Sequence, residues 1–281
     1  MSSKVGVDLT DGLILCLDAT NPRSVGDKWY DISNSENDHS ATLNGTQWVT
    51  DKGVSNALYF ENGYGQITHH DELNFTGSAA NPGPNGNANG HDFTIGFWMR
   101  APKQDTDEST HSDKAVIEKW HQPGGYIQYS YVFRLHSDES TGRDGELWLM
   151  RSNKNDSSYI TEVHTHSLLD GIPFTDKRVD DDKWYNICVT KTSMQLNMYV
   201  QGELVDTTGE FNADAYGGVG TFAGPSHLYL GRRGGNADWQ YSGSLADIRM
   251  YNRALDTDEI SEYYKLTKSK FSPLGTIDIS F

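Results

Sequence analysis

Residues 232 to 241 read Arg-Arg-Gly-Gly-Asn-Ala-Asp-Trp-Gln-Tyr, and they gather in one loop the groups that hold a polar ring. Trp239 offers a flat aromatic face. Asn236, Asp238 and Arg232 offer planar amide, carboxylate and guanidinium groups. A pyranose presents an apolar face to such a ring and hydroxyls to such planar groups, so this loop is a candidate glycan site. Lys119-Trp120-His121-Gln122 carries the same chemistry more sparsely, and Trp120 joins the candidate set. A second use of Trp239 stays open, because large aromatics also cover the edges of sheets.

Other chemistry is weaker. His164 and His166 alternate and so face one side of a strand, which is metal-ligand spacing, but the sequence identifies no third ligand. His69 and His70 point opposite ways if they lie in a strand. Asp31, Asp38, Asp105, Asp107, Asp138, Asp144, Asp156 and Asp180 to Asp182 supply loop acid without an EF-hand-type series. Solvated charge is the plain reading of each, and the sequence names no metal site.

The elements that must position these groups are strands. Gly12 to Ala19 is a nearly continuous apolar run, as a strand buried on both faces requires. Short strands are expected at Ala41 to Gly45, Ala57 to Phe60 and Gln66 to Thr68, with an irregular polar loop from Trp29 to His39. Phe93, Ile95, Phe97 and Met99 share one strand face. Further strands follow at 115–120, 131–135, 146–151, 159–166, 184–192, 196–208 and 227–231, separated by turn signals. Residues 76–90 and 211–225 read as polar or glycine-rich excursions. No internal repeat is visible.

The end of the chain is the most specific stretch. Ala246, Ile248 and Met250 alternate with Asp247, Arg249 and Tyr251, the period of a strand with two unlike faces. Asp256 stands three residues before Glu259, a capping-box spacing, and Ile260, Tyr263 and Tyr264 give the helix that follows one apolar stripe. A glycine, a hydrophobic residue, an aspartate, a strand ending in Tyr251-Asn-Arg-Ala-Leu255 and an acidic-capped helix resemble the closing segment of laminin-G-like, concanavalin A-like domains. Gly12 to Ala19, Phe93 to Arg100, Lys183 to Thr190 and Leu196 to Val205 fit the same pattern in the same order.

The resemblance covers residues 12 to 265 and implies an all-β fold, an antiparallel two-sheet jelly-roll sandwich with one short C-terminal helix. Residues 1–11 are then an N-terminal arm and 266–281 a tail. The fold carries lectins, adhesins, enzymes and structural modules alike. Its glucanases place Glu-x-Asp-x-x-Glu on one strand, a spacing missing here: Glu36-Asn37-Asp38 has Ala41 where the last glutamate belongs. Asp256, Asp258 and Glu259 are accounted for by helix capping. No catalytic residue is assigned and no cofactor is required, while the resemblance allows one calcium ion.

The chain of 281 residues has a formal charge of −16, from 39 acidic and 23 basic residues. That balance argues against nucleic acid, whose phosphates need a basic face. Cys16 and Cys188 lie in apolar strand runs and read as buried thiols. The first residues lack the apolar run of a signal peptide, and no stretch approaches a membrane span.

Three functions fit. The first is a non-enzymatic structural or decoration module of a phage virion, on capsid, fibre or tail, made in the host cytoplasm and able to bind surface glycans. The opening Asp8-Leu9-x-x-Gly12-Leu13-x-Leu15-x-Leu17-Asp18-Ala19 looks like those of tailed-phage proteins. The partners would be other virion proteins, in a homo-oligomer or multi-copy assembly. The second is a soluble carbohydrate-binding lectin, and the third a glycoside hydrolase of the same fold. The tail adds a partner question. Ile277, Ile279 and Phe281 alternate on one face of a terminal strand, which must pair with the protein's own sheet edge or dock on a partner.

Overall fold

The computed structural model describes residues 7–51, 54–75, 92–103, 113–121, 128–136, 145–152, 160–165, 178–192, 195–208, 226–234 and 239–271. In chain order the strands are β1 (Leu13–Leu17), β2 (Lys28–Trp29), β3 (Ala41–Asn44), β4 (Gln47–Asp51), β5 (Val54–Phe60), β6 (Tyr64–Ile67), β7 (Phe93–Arg100) and β8 (Lys114–His121). They continue with β9 (Gln128–Leu135), β10 (Leu147–Ser152), β11 (Ile160–His164), β12 (Trp184–Lys191), β13 (Leu196–Val200), β14 (Glu203–Thr207), β15 (Leu228–Leu230) and β16 (Gly243–Tyr251). A 3₁₀ turn spans Asp71–Asn74, and helix α1 spans Thr257–Phe271.

The strands form two antiparallel sheets. The first runs β14-β13-β12-β7-β16-β5-β4, with β1 also on β16; the second runs β11-β10-β9-β8-β15-β6-β3-β2. The all-β two-sheet sandwich with one C-terminal helix is thus the observed fold. Registers show why the sheets face each other. In the second sheet Leu43, Gly65, Leu230, Ile117, Phe133, Leu149 and Val163 lie opposite one another in a single row. The six side chains of that row belong to the core, where Phe93, Ile95, Phe97 and Met99 of β7 meet them from the first sheet. Residues directly opposite share a face, so this row is the inner wall.

Helix α1 covers the outer face of the first sheet. Its capping box forms: the Asp256 backbone N–H donates to Glu259 Oε2 at 2.8 Å, and the Glu259 N–H to Asp256 Oδ1 at 2.9 Å. Ile260 and Tyr263 pack with Leu255, Tyr251, Tyr199 and Cys188. Both cysteines are buried free thiols, as their strand settings imply.

Several boundaries differ from the sequence reading. The helix continues past 265 through Phe271, because Thr267 and Phe271 bury themselves beside Trp98. A weak apolar stripe hides that extension; packing on the sheet, not propensity, sustains it. The arm is anchored too, since Leu9 joins the cluster beneath the helix. Lys28–Trp29 is a strand where the sequence reading began a loop, and Gln47–Asp51 is one it left unassigned; both are short, yet Trp29 is fully buried and Trp48 and Val49 pack on the core. Lys119 to His121 belong to β8, so that candidate stretch is strand through His121, paired with Gln128 across a bulge. Residues 76–90 and 211–225, His166 and the 141–144 turn lie outside the described residues. Among the described residues no helix is long and apolar enough to cross a membrane.

Candidate functional site

The outer face of the second sheet carries the candidate site. Its registers align Thr42, Gln66, Tyr229, Glu118, Val132, Met150 and Glu162 in one row. These alternate with the inner row, so the same strands that fill the core also present this polar and aromatic set. Tyr64, two residues from Gln66 along β6, shares the face; its ring centroid lies 6.2 Å from that of Tyr229.

The loop after β15 folds back over this face. Gly231 turns the chain at φ 79°, and the Tyr241 N–H returns to the Gly231 carbonyl at 3.0 Å. An added Cβ on Gly231 would stand 2.3 Å from the Phe60 ring. The loop therefore starts and ends at one place. The Ala115 N–H also donates to the Trp239 carbonyl at 2.8 Å, which fixes the loop to β8.

The loop delivers its two described candidate side chains to different neighbours. The Arg232 guanidinium carbon sits 3.7 Å from the centre of the Tyr64 ring and 5.3 Å from that of Tyr229. Arg232 is half-buried, and its Nε has no hydrogen-bond partner among the described residues. Trp239 is half-buried at φ 68°, and two guanidinium groups lie over its ring, Arg134 at 4.4 Å and Arg233 at 4.7 Å. A cation over a ring face is attracted by its quadrupole. Trp239 is thus a clamped ring within a cationic patch rather than a bare platform. Asn236, Asp238 and the Trp120 side chain lie outside the described residues, as do Ile277, Ile279 and Phe281.

Beneath Trp239 lies an ion pair. Arg134 donates from Nε to Glu118 Oε1 at 3.1 Å and from a terminal nitrogen to the same oxygen. Glu118 is fully buried and Arg134 nearly so. Burial pushes the Glu118 carboxyl up, against the pull of Arg134. Without solvent access, this carboxylate does not meet a substrate; it holds the cation that lies over Trp239.

The sequence reading missed Tyr64, Tyr229, Glu118 and Arg134. Tyr229 was legible as the outward residue between Leu228 and Leu230, and Tyr64 as the outward residue before Gly65. Their meeting with Arg232 was not legible, because it depends on β15 pairing with both β6 and β8. His69 and His70 follow β6 outside any strand: the His69 ring meets Lys119 Nζ at 3.0 Å, whereas the His70 ring accepts from the Glu72 N–H.

With this geometry in view, comparisons place the chain. A search of the curated proteins finds no match. Among solved structures, the chain is similar to the binding domain of Paraclostridial Mosquitocidal Protein 1, with a TM-score of 0.63 at 19% identity, over 92% of this chain and 52% of that one. It is also similar to the binding domain of Botulinum neurotoxin DC in complex with rat synaptotagmin II, with a TM-score of 0.59 at 12% identity, over 92% and 52%. The receptor binding domain of botulinum neurotoxin C/D mosaic serotype gives 0.59 at 14% identity over the same shares. The chain spans about half the length of these structures, and at such identities the likeness is one of fold. A family model for concanavalin A-like lectin/glucanases matches residues 75–261. The chain belongs to the concanavalin A-like lectin/glucanases superfamily.

Proposed function

We propose that this chain is a non-catalytic attachment module that binds surface glycans on the outer face of its second sheet, with Arg232, Tyr64, Tyr229 and Trp239 as the contact groups. The observation that carries the reading is Arg232: a half-buried guanidinium stacked on Tyr64 and close to Tyr229 on the outer face of the sheet. In a chain of net charge −16, a half-buried cation stacked on a ring suits an oxygen-rich ligand. The tyrosine rings suit its apolar face. The binding domains of similar fold support the coarser role of attachment.

Glycoside hydrolysis is disfavoured by the burial of Glu118 and by the missing glucanase spacing. The placement on a phage particle, with other virion proteins as partners and several copies per assembly, is part of this proposal. Its support is the sequence pattern at the opening of the chain. A calcium ion in the loops is compatible with the proposal and not required by it.

A glycan array tests the function. Arg232→Ala and Tyr229→Ala should each abolish the binding seen with the unaltered chain and leave the melting temperature within a few degrees. An array with no hits, or hits insensitive to both substitutions, would overturn the reading.

A further inference from the structure

Away from the glycan face, the polar loop after β2 meets the 3₁₀ turn, and three metal-ligating groups converge there. His39, His70 and Glu72 each bring one donor atom, and all three atoms lie within 4.8 Å of one another. His39 is buried, Glu72 half-buried and His70 more open. His39 Nε2 contacts Glu72 Oε1, and His70 Nδ1 lies 3.7 Å from that same oxygen. We propose that His39, His70 and Glu72 form a binding site for a transition-metal dication of the zinc class, with a fourth position left to water or to a ligand oxygen.

Donor chemistry selects the ion. Two imidazoles and one carboxylate suit zinc and its neighbours, at bonds of about 2.0–2.2 Å. Calcium asks for six to eight oxygens, which this trio does not provide. Donors on one such ion stand roughly 3–4 Å apart by that bond length, so an entering ion parts the touching His39 and Glu72 donors and draws the more open His70 ring inward.

The surroundings are organised as a metal site requires. Behind Glu72, Asn37 Nδ2 donates to Oε1 at 3.0 Å and Ser35 Oγ at 3.1 Å. The His39 N–H donates to Asp31 Oδ2 at 3.3 Å, and Asp31 Oδ1 in turn accepts from the Cys16 N–H at 2.9 Å, which ties the loop to β1. Leu73 and Phe75, both buried in the core, fix the 3₁₀ turn from the other side. Such second partners orient ligands and tune affinity. Ser35 and Asn37 also line an open cleft of about 270 Å³ with Arg23, Tyr30 and Asp38.

The ion would replace the direct contact between His39 and Glu72 by a bond to each. It would then clip two segments that are separated by 33 residues in the chain. Binding to the folded state alone raises stability.

The test uses the full chain without a histidine tag, stripped with a chelator. Zn²⁺ titrated by calorimetry should bind one ion per chain and raise the melting temperature, while Ca²⁺ at the same concentration should not raise it. His70→Ala, which also removes the cap on the Glu72 N–H, should melt slightly lower than the unaltered protein without metal and lose the zinc-dependent rise. Asn37→Ala keeps all three ligands and should weaken zinc binding by about tenfold. Absence of both heat and melting shift with Zn²⁺ would overturn the proposal. So would zinc binding by His70→Ala at unaltered affinity, which would put the ion on other histidines.

Discussion

Gly96 on β7 and Tyr263 on α1 meet where the helix lies on the first sheet: a Cβ placed on Gly96 would stand 2.7 Å from the Tyr263 ring. That contact sets how closely the helix approaches the sheet. The Tyr263 hydroxyl donates to the Asp247 carbonyl at 3.0 Å and holds the ring in place. Gly96→Ala must push this fully buried ring aside, so it should cost about 1–3 kcal/mol by overpacking. Urea unfolding measures it. A change under half a kilocalorie per mole would mean that the helix rides on the sheet more loosely.

Asp247 lies in a bulge of β16 at φ 47° and is fully buried. Arg249 Nε donates to it at 2.6 Å, and Lys270 Nζ lies 3.5 Å away while donating to Asp18 at 2.9 Å. Asp247→Ala takes its carboxylate from the partly exposed Arg249, and about 1–3 kcal/mol should be lost. An equilibrium unfolding curve superposing on that of the unaltered protein would show that the pair carries no net stability.

The same network gives an acid dependence. Burial opposes ionisation of Asp18, but Lys270 and Thr20 donate to it, and its carboxyl is held below the usual range. A depressed folded-state pKa contributes stability that is present above the ordinary carboxylate value of about 3.9 and lost as pH falls through the lower value. Asp18→Asn should therefore show a shallower loss of stability below about pH 4 than the unaltered chain. Parallel acid profiles in the two proteins would remove Asp18 from the account.

Lys119 shifts in the same direction for a different reason, the cost of burying its charge. It is fully buried on β8, beside His69 Nδ1 at 3.0 Å and the Ser226 carbonyl at 2.5 Å. Burial pulls its pKa down to about 8, with Asp71 pulling it back up. The unfolded chain binds this proton up to about pH 10.4, so between about 8 and 10.4 this group makes stability rise with pH. Lys119→Met should abolish that rise and be neutral or stabilising at pH 7. If the variant unfolds at lower urea at pH 7, the hydrogen bonds of the ammonium outweigh its burial.

Legibility followed the range of the interactions. The period-2 alternation of β7 and β16 and the Asp256–Glu259 box are local, and the sequence shows them directly. The inner and outer rows of the second sheet are read from alternation once the register is known, but β15 pairs with β6 and β8, far away in the chain. Arg232 on Tyr64, and His39 on Glu72, are consequences of such pairings. No spacing encodes them. Trp239 was legible as a functional candidate by type; the guanidinium groups over its ring were not, since Arg134 comes from the end of β9, far away in the chain. Glu72 went unnoticed because a short 3₁₀ turn leaves no periodic signature.

The C-terminal boundary gives the last prediction. Phe271 stacks on Trp98 at 4.3 Å between ring centroids and lies 5.2 Å from Trp184, and Thr267 Oγ1 accepts from Trp98 Nε1 at 2.9 Å. The last helical turns are therefore part of the sandwich. Phe271→Ala should cost about 3–5 kcal/mol, and a chain ending at 265 should lose more, since it also lacks Lys270 and Thr267. Ending the chain after 271 is a separate experiment, because it removes only Ile277, Ile279, Phe281 and their neighbours. If that terminal strand pairs with its own sheet, the shortened domain should melt lower. If it docks on a partner, the shortened domain should melt as before while its incorporation into particles falls. Unaltered melting together with unaltered incorporation would defeat both roles for the strand, whereas a chain ending at 265 that melts normally would defeat the account of the helix.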